Sequence, residues 1–218
     1  MKSGLSVVIA ALALALSVPG ARADIGINPR VGTLGYGIEL SAGLSEKLSL
    51  SLGTNGYSYK TQKKSGDVDY DFNLKLRSAD LLASYHPFTG AFRLRAGVLF
   101  NGNEFLMTGR PSAGQTYDIN GTTYTSAQVG TLTGKLSFNK SAPYFGIGWG
   151  NRPNGSWGFT GDIGAVYQGK PKLSLEATGA AATAGLSSNL EAERQRTEQD
   201  LQSFKWYPVL SFGLYFRF

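Results

Sequence analysis

The chain ends in Val209–Phe218 (VLSFGLYFRF), ten residues in which apolar side chains alternate with small or polar ones. Successive side chains of a β-strand point to opposite faces, so this period of two predicts a strand with two different faces. One face carries Leu210, Phe212, Leu214, Phe216 and Phe218. The opposite face carries Val209, Ser211, Gly213, Tyr215 and Arg217.

The same alternation recurs in six segments upstream, and the connections between the segments are alternately short and long. The segments are residues 34–41, 48–53, 70–85, 92–103, 132–149 and 157–168. The apolar face changes parity twice, at Arg77-Ser78 and near Lys140. A β-bulge at Arg77-Ser78 would explain the first change, because one extra residue moves the following side chains to the other face.

An eighth strand is needed at the N-terminal end. If the last strand ends in the periplasm, the short turns lie there too, and seven strands would leave the start of the barrel outside the cell. Ile25–Val31 can supply the missing strand. A two-residue type II′ turn at Gly32-Thr33 would then place Val31 and Leu34 on one face, and a bulge within one long strand is the alternative. The sequence therefore predicts an all-β fold, an eight-stranded antiparallel barrel.

The N-terminus has the pattern of a secretory signal peptide. A positive start at Lys2 precedes the apolar run Leu5–Val18, and Ala21-Arg22-Ala23 offers a cleavage site. The run has 14 residues, short of the roughly 20 that a membrane helix needs. A buried N-terminal helix is the alternative. We expect residues 1–23 to be removed on export and residues 24–218 to form one domain.

Composition excludes several classes of protein. The chain has no Cys and a single His, which excludes disulfides, thiolate metal sites and multi-histidine zinc sites. Charged residues make up only 17% and aromatic residues 12%, which argues against disorder. The net charge of +6 is not concentrated on any element, so no nucleic-acid partner is expected.

Alternation alone does not distinguish a soluble ligand-binding barrel from a membrane barrel, which has its apolar face outside. Charged residues share the polar face with many Gly, Ser and Thr residues, which suit a narrow lumen. The apolar face is aliphatic in mid-strand and aromatic at both ends, as in the girdles of a bilayer-spanning barrel. Phe92, Trp149, Trp157, Phe216 and Phe218 lie toward the short turns, and Tyr70, Phe72, Phe100, Phe138, Tyr167 and Trp206 toward the long loops. A transmembrane barrel is therefore favoured over a soluble one.

The sequence resembles the small outer-membrane β-barrel proteins of Gram-negative bacteria. The terminal Phe216-Arg217-Phe218 is similar to the signal that the barrel assembly machinery reads in such proteins. Five stretches resemble a group of proteobacterial barrels. They are Val31–Leu40 (VGTLGYGIEL), Tyr85–Glu104, Ile119–Leu132, Ala142–Asn151 (APYFGIGWGN) and Phe204–Phe218.

The resemblance implies the outer membrane as location, with Phe216 and Phe218 as the assembly signal. It implies contact with outer-membrane lipid and lipopolysaccharide, and with the assembly machinery and periplasmic chaperones during biogenesis. We expect a monomer. The resemblance supplies no catalytic, cofactor-binding or metal-binding residue.

The charged residues of the lumen face are the most informative functional feature. The strand positions place six of them in the periplasmic half of the barrel, three acids and three arginines. They are Glu39, Asp80, Asp162, Arg93, Arg95 and Arg217. Unpaired buried charges are costly, and an eight-stranded barrel is just wide enough for its own side chains. We therefore expect one ion cluster that closes the lumen.

Two elements are predicted in the long connections. Asn120-Gly121 lies between β-forming residues and predicts a small hairpin with a type I′ turn. Ser188 followed by Glu191 matches a capping box, and residues 189–203 have helix-forming composition. That helix is either a lid over the barrel mouth or a solvated linker to the last strand.

Signs of catalysis are weak. Ser84 and His86 resemble a Ser-His pair, but His86-Pro87 lies in a tight periplasmic turn, and a turn histidine is the better interpretation. No catalytic residue, cofactor or metal is predicted. The main hypothesis is a non-enzymatic membrane protein that serves envelope integrity or surface interaction through its loops. A passive channel for small or hydrophobic solutes is the alternative, and an enzyme that modifies outer-leaflet lipid is the least favoured.

Overall fold

A computed structural model describes residues 25–65, 68–88, 90–150 and 156–218. The predicted signal peptide, residues 1–23, lies outside the described residues. Within them, the barrel strands are β1 (Ile25–Gly32), β2 (Gly35–Gly43), β3 (Leu48–Ser65), β4 (Val68–Tyr85), β5 (Phe92–Asn101), β10 (Ser141–Trp149), β11 (Trp157–Tyr167) and β13 (Trp206–Arg217). The remaining elements are β6 (Glu104–Pro111), β7 (Thr116–Ile119), β8 (Thr122–Thr125), α1 (Ser126–Val129), β9 (Leu132–Ser137), β12 (Lys172–Ala177), α2 (Leu186–Asp200) and a 3₁₀ turn (Leu201–Ser203).

The barrel closes through antiparallel pairing of all eight barrel strands, in the order β4-β3-β2-β1-β13-β11-β10-β5. The first and last strands pair with each other, from Gly26↔Arg217 to Gly32↔Ser211. β5 returns to β4 between Tyr85↔Leu94 and Ser78↔Asn101, which completes the ring. The predicted eight-stranded antiparallel barrel is confirmed.

The two faces of the barrel differ as the alternation predicts. Outward side chains are large, apolar and exposed, and Phe212 is 69% accessible whereas the lumen-facing Arg93 is fully buried. Aromatic rings meet near both ends of the strands: Phe92 contacts Trp149 at the end with short turns, and Tyr167 contacts Trp206 at the end with long loops. We call these the short-turn end and the long-loop end. A continuous exposed apolar surface of this kind suits a bilayer and not water.

One edge of β4 pairs with two different strands, and this corrects the predicted bulge at Arg77-Ser78. Its pairing with β3 runs without interruption from Leu48↔Tyr85 to Ser65↔Val68. On its other edge, residues 78–85 pair with β5 in the barrel, whereas residues 68–75 pair with β6 above it. The apolar residues change face because the surroundings of β4 change at the barrel rim, not because the strand has an extra residue.

The second parity change, near Lys140, is also not a bulge. It separates two strands: β9 pairs with β6 and β12 above the barrel, and β10 pairs with β5 and β11 within it. The upper part of β4 therefore continues into a sheet of β6, β9 and β12. We call this sheet, with the β7–β8 hairpin, α1 and α2, the loop layer.

The β1–β2 hairpin is present, but its turn lies one residue later than predicted. Gly32 pairs with Gly35, so Thr33 and Leu34 are the central residues. Gly35 has φ +98°, a conformation that favours glycine. As a result Val31 faces outward and Leu34 is buried, and the two do not share a face.

The loop layer has its own small core. Asn120 and Gly121 both have positive φ, which confirms the predicted type I′ turn between β7 and β8. The Asn189 side chain of α2 donates to the Tyr124 hydroxyl at 2.7 Å. Five buried residues pack together here: Ile119, Tyr124, Val129, Leu186 and Leu190.

The predicted loop helix is confirmed, but it starts at Leu186, before the predicted cap. Gly185 is the N-cap residue, and the Ser188 hydroxyl donates to the Gly185 carbonyl, so Ser188 does not form the predicted capping box. Among the described residues, no helix has both the length and the hydropathy to cross a membrane.

Candidate functional site

Six charged side chains meet in the lumen, and they come from five strands. Arg30 lies on β1, Glu39 on β2, Asp80 on β4, Asp162 on β11, and Arg93 and Arg95 on β5. All six residues are buried. The period of two explains their convergence, because each occupies a lumen-facing position of its strand. We call this group the lumen ion cluster.

Glu39 is shared by two arginines. Its Oε2 accepts from Arg30 Nη1 at 2.6 Å and from Arg95 Nη2 at 2.6 Å. Arg30 also donates to Asp80 through its second terminal nitrogen. One side of the cluster is therefore a series of ion pairs, Asp80–Arg30–Glu39–Arg95, in which each group contacts a group of opposite charge.

Asp162 completes the cluster on the other side. Its Oδ1 and Oδ2 accept from Arg93 Nη2 at 2.8 and 3.0 Å, and Oδ2 also accepts from Arg95 Nη1 at 2.9 Å. Arg95 thus connects Glu39 to Asp162, and all six groups form one continuous network. Three acids and three arginines sum to zero charge, so the cluster is desolvated with no excess ion.

Neutral polar groups complete the cluster. Asn55 accepts from Arg30 Nε at 3.0 Å and donates to Asp80 Oδ2 at 3.0 Å. The Ser51 hydroxyl accepts from Arg95 Nη2 at 2.9 Å. Gly148 leaves room for the group, since a Cβ there would overlap the Asp162 carboxylate and Arg93.

The structure brings five of the six predicted lumen residues together: Glu39, Asp80, Arg93, Arg95 and Asp162. Arg217 is not among them, and the third guanidinium is that of Arg30. Arg217 is exposed at the end of β13, six residues beyond Ser211, whose hydroxyl donates to Asp162. Six residues of strand span about 20 Å, so Arg217 has the right parity but the wrong depth.

The hairpin register contains the signal that identifies Arg30. Arg30 pairs with Gly37, and Glu39 pairs with Asn28, so Arg30 and Glu39 are diagonal neighbours on the lumen face. Counting from the observed turn at Thr33-Leu34 gives this contact, whereas counting from the predicted turn at Gly32-Thr33 would pair Glu39 with Gly26. Counting from the C-terminal strand alone does not give it.

An apolar layer lies next to the cluster, mostly on the long-loop side. These side chains face the lumen, although parity assigns that face to polar residues, and sequence reasoning did not anticipate them as a group. They are Leu34, Leu82, Leu99, Ala142, Tyr144, Val166 and Val209, with Tyr207 packed against them. A cavity of about 20 Å³ remains between layer and cluster, which is space for one water molecule. At the level of the cluster and this layer, protein side chains fill the lumen of the described strands.

The predicted assembly signal lies at the short-turn end. Phe216 and Phe218 face outward, and Phe218 is 83% exposed while its backbone N–H donates to the Ile25 carbonyl at 2.9 Å. His86 is buried, and its Nδ1 lies 3.1 Å from the Gly90 carbonyl, across the turn that joins β4 to β5. In the described part of the chain, no group of three or more His, Asp or Glu residues is placed to hold a metal ion.

Among the solved structures with a similar fold are two CarO proteins of Acinetobacter baumannii. CarO2 is 26% identical with a TM-score of 0.60, over 91% of this chain and 100% of that chain. CarO is 27% identical with a TM-score of 0.58, over 89% of this chain and 98% of that chain. Neither a family model nor a curated relative matches the chain. The similarity extends over most of this chain and nearly all of both CarO chains.

Proposed function

Since the chain is a small outer-membrane β-barrel protein, we propose that it serves the cell envelope as a closed, non-enzymatic barrel that acts through its loop layer. The closed lumen is the observation that carries the proposal. A neutral network of six buried charges fills the middle of the barrel, and the apolar layer lies next to it. An ion or solute would have to break several charge-assisted hydrogen bonds to pass, and such bonds are stronger than neutral ones.

The loop layer supports a role in surface interaction. It is a folded unit with its own buried core and a sheet continuous with the barrel, which gives an external partner a fixed shape to recognise. Lys60, Lys63 and Lys64 are exposed toward the tip of the β3–β4 hairpin. These cations favour contact with the phosphate groups of lipopolysaccharide.

Biogenesis follows from the same proposal. The exposed terminal Phe218 is available to the barrel assembly machinery, with periplasmic chaperones escorting the chain after export and cleavage of residues 1–23. The protein is proposed to work as a monomer, because the eight strands close on themselves within one chain.

Planar-bilayer recording tests the closed lumen. The purified protein is compared with an open porin inserted under the same conditions, and we expect no steady single-channel conductance from the wild type. A large, steady conductance would contradict the proposal and place the passive channel first.

A second measurement tests the non-enzymatic proposal. Purified outer-leaflet lipid is incubated with the wild type and with His86→Ala, and we expect no change in lipid mass with either protein. Wild-type modification that disappears in His86→Ala would instead favour the lipid-modifying enzyme.

A further inference from the structure

An apolar cavity lies above the closed lumen, at the long-loop end. Its volume is about 390 Å³, within the range of small-molecule sites. β4, β6 and β9 form one wall, and the segment that joins α2 to β13 forms the other. Apolar side chains dominate the lining, among them Leu74, Phe105, Leu136, Phe138 and Phe204. We call it the loop-end cavity.

The polar side chains Glu104 and Gln168, which line the cavity, are already paired with other protein groups. Glu104 accepts from Lys75 and Lys135, each at 2.9 Å, and Gln168 donates to the Phe204 carbonyl at 3.2 Å. The cavity therefore offers mainly hydrophobic contact. A sugar or a peptide would lose hydrogen bonds to water on entry, whereas a hydrocarbon chain would not.

A second cavity adjoins the first and reaches the outer surface of the barrel. It measures about 600 Å³ and shares Leu74, Leu76 and Tyr207 with the loop-end cavity. Its outer lining includes Val31 and Tyr36, which belong to the lipid-facing surface, and Tyr36 is 68% exposed. The apolar surface is thus continuous from the outside of the barrel to the loop-end cavity.

A low point in the barrel wall creates this opening. At the long-loop end, β1 and β2 stop at the two-residue turn that joins them. β2 pairs with β3 only as far as Gly56, whereas β3 continues to Ser65. On the other side, β1 pairs with β13 only as far as Ser211, although β13 begins at Trp206. β1 and β2 have 8 and 9 residues, close to the 9–11 that a strand needs to cross the bilayer. The notch above their turn therefore lies at the outer boundary of the hydrocarbon region.

Tyr207 stands between the two cavities. Its hydroxyl donates to the Thr33 carbonyl at 2.6 Å, and the Thr33 hydroxyl donates to the Pro208 carbonyl at 3.0 Å. The Tyr207 ring packs against the apolar layer below. This pair of hydrogen bonds holds the ring across the passage and connects the β1–β2 turn to β13.

We propose that the loop-end cavity binds one straight hydrocarbon chain, which enters sideways from the outer leaflet through the notch above the β1–β2 turn and passes Tyr207. The chain belongs either to a free fatty acid or to an acyl lipid, and both present the same alkyl surface. The closed lumen below makes the cavity a terminal site. This site is independent of the partner proposed above for the loop layer.

Photo-crosslinking tests the proposal on the full mature protein in lipid vesicles. One arm uses a fatty acid with a diazirine near the chain end, and the other uses phosphatidylethanolamine that carries the same chain. We expect adducts on cavity residues such as Phe105 and Phe138, in addition to adducts on the lipid face. Adducts in the fatty-acid arm alone identify a free acid as the ligand, and adducts in the lipid arm identify an acyl lipid.

A filled cavity provides the decisive comparison. Leu136→Trp occupies the space, and we expect cavity adducts to fall at least fivefold, whereas Leu214→Trp on the lipid face should leave them unchanged. Leu201→Trp fills the cavity from the opposite wall and is used instead if Leu136→Trp does not fold.

Tyr207→Phe tests the route, because it removes the hydrogen bond to Thr33 and should increase the rate of cavity labelling. Absence of cavity adducts in both arms, or cavity adducts that persist in both filled variants, would overturn the site, and an unchanged rate in Tyr207→Phe would overturn the route.

Discussion

Arg95 Nη2 and Glu39 Oε2 lie 2.6 Å apart in the middle of the lumen, although the two residues are 56 positions apart in the chain. Arg95 also binds Asp162, and Glu39 also binds Arg30, so this pair joins the two halves of the lumen ion cluster. The interaction closes the barrel across its interior, between strands that are not neighbours in the sheet.

Removing one partner of this pair should cost far more than removing both. Arg95→Ala leaves two buried carboxylates with fewer cations, at about 3–5 kcal/mol. Glu39→Gln combined with Arg95→Met keeps the remaining ions in two neutral pairs, so we expect a smaller loss than in Arg95→Ala alone. Urea unfolding in detergent measures each variant. Losses in Glu39→Gln alone and Arg95→Met alone that add up to the loss in the double variant would show that the two side chains are not coupled.

Arg30 and Arg217 form a matched pair of variants, since both are arginines on lumen-parity positions. Arg30→Ala removes a buried partner of Glu39 and Asp80 and should destabilise the protein by about 3–5 kcal/mol. Arg217 is exposed, and we expect Arg217→Ala to stay within about 0.5 kcal/mol of wild type. The same unfolding experiment decides between them, and equal losses would contradict the assignment of Arg30 to the cluster.

A charge on the lipid face should be costly at mid-strand. Ile163 is exposed on the outside of β11, between Ile147 of β10 and Leu210 of β13. Ile163→Arg should destabilise the inserted barrel by about 2–4 kcal/mol if the residue lies near the bilayer midplane. Leu44→Arg, in the exposed β2–β3 turn, is the control and should insert normally. Refolding into lipid vesicles measures both, and equal yields would show that Ile163 does not face the acyl chains.

Deleting Phe218 should impair assembly more than stability. The side chain is almost fully exposed, and the residue adds one backbone hydrogen bond, to Ile25. We expect outer-membrane levels in cells to fall several-fold, while the protein refolded in detergent unfolds at nearly the same urea concentration. Normal levels in the outer membrane would argue against Phe218 as an assembly signal.

The junction of β4, β6 and β9 should weaken at low pH. Hydrogen bonds from Lys75 and Lys135 lower the pKa of the Glu104 carboxyl. A lowered pKa contributes stability above the ordinary glutamate pKa, and this contribution disappears as the pH falls through the lowered value. Once the pH is well below the ordinary glutamate pKa, backbone amides of β6 should therefore exchange faster with deuterium than expected from intrinsic rates. In Glu104→Gln this extra acceleration should vanish, and acceleration that persists would assign the effect to another group.

Alternation in the sequence predicted the strands and their outward faces well, because burial on one side of a strand leaves a period of two. It could not show that Leu74 and Asp80 lie on one uninterrupted strand but pair with different strands, Leu74 with β6 and Asp80 with β5. Periodicity records which face is apolar and carries no information about the partner strand. Depth was the second weakness, since parity gave Arg217 the correct face, but the residue lies about 20 Å along β13 from the cluster in which it was predicted. The apolar layer was missed because Leu82 and Leu99 stand among polar residues of the same face.

The uninterrupted course of β4 has a mechanical consequence. The barrel and the loop layer share one long element, the β3–β4 hairpin, and its strand pairing continues past the barrel rim without interruption. A load applied to the outer sheet, by an antibody or a neighbouring cell surface, is therefore carried directly into the membrane-embedded ring. The sheet of the loop layer is therefore rigidly attached to the barrel and does not move as a hinged lid.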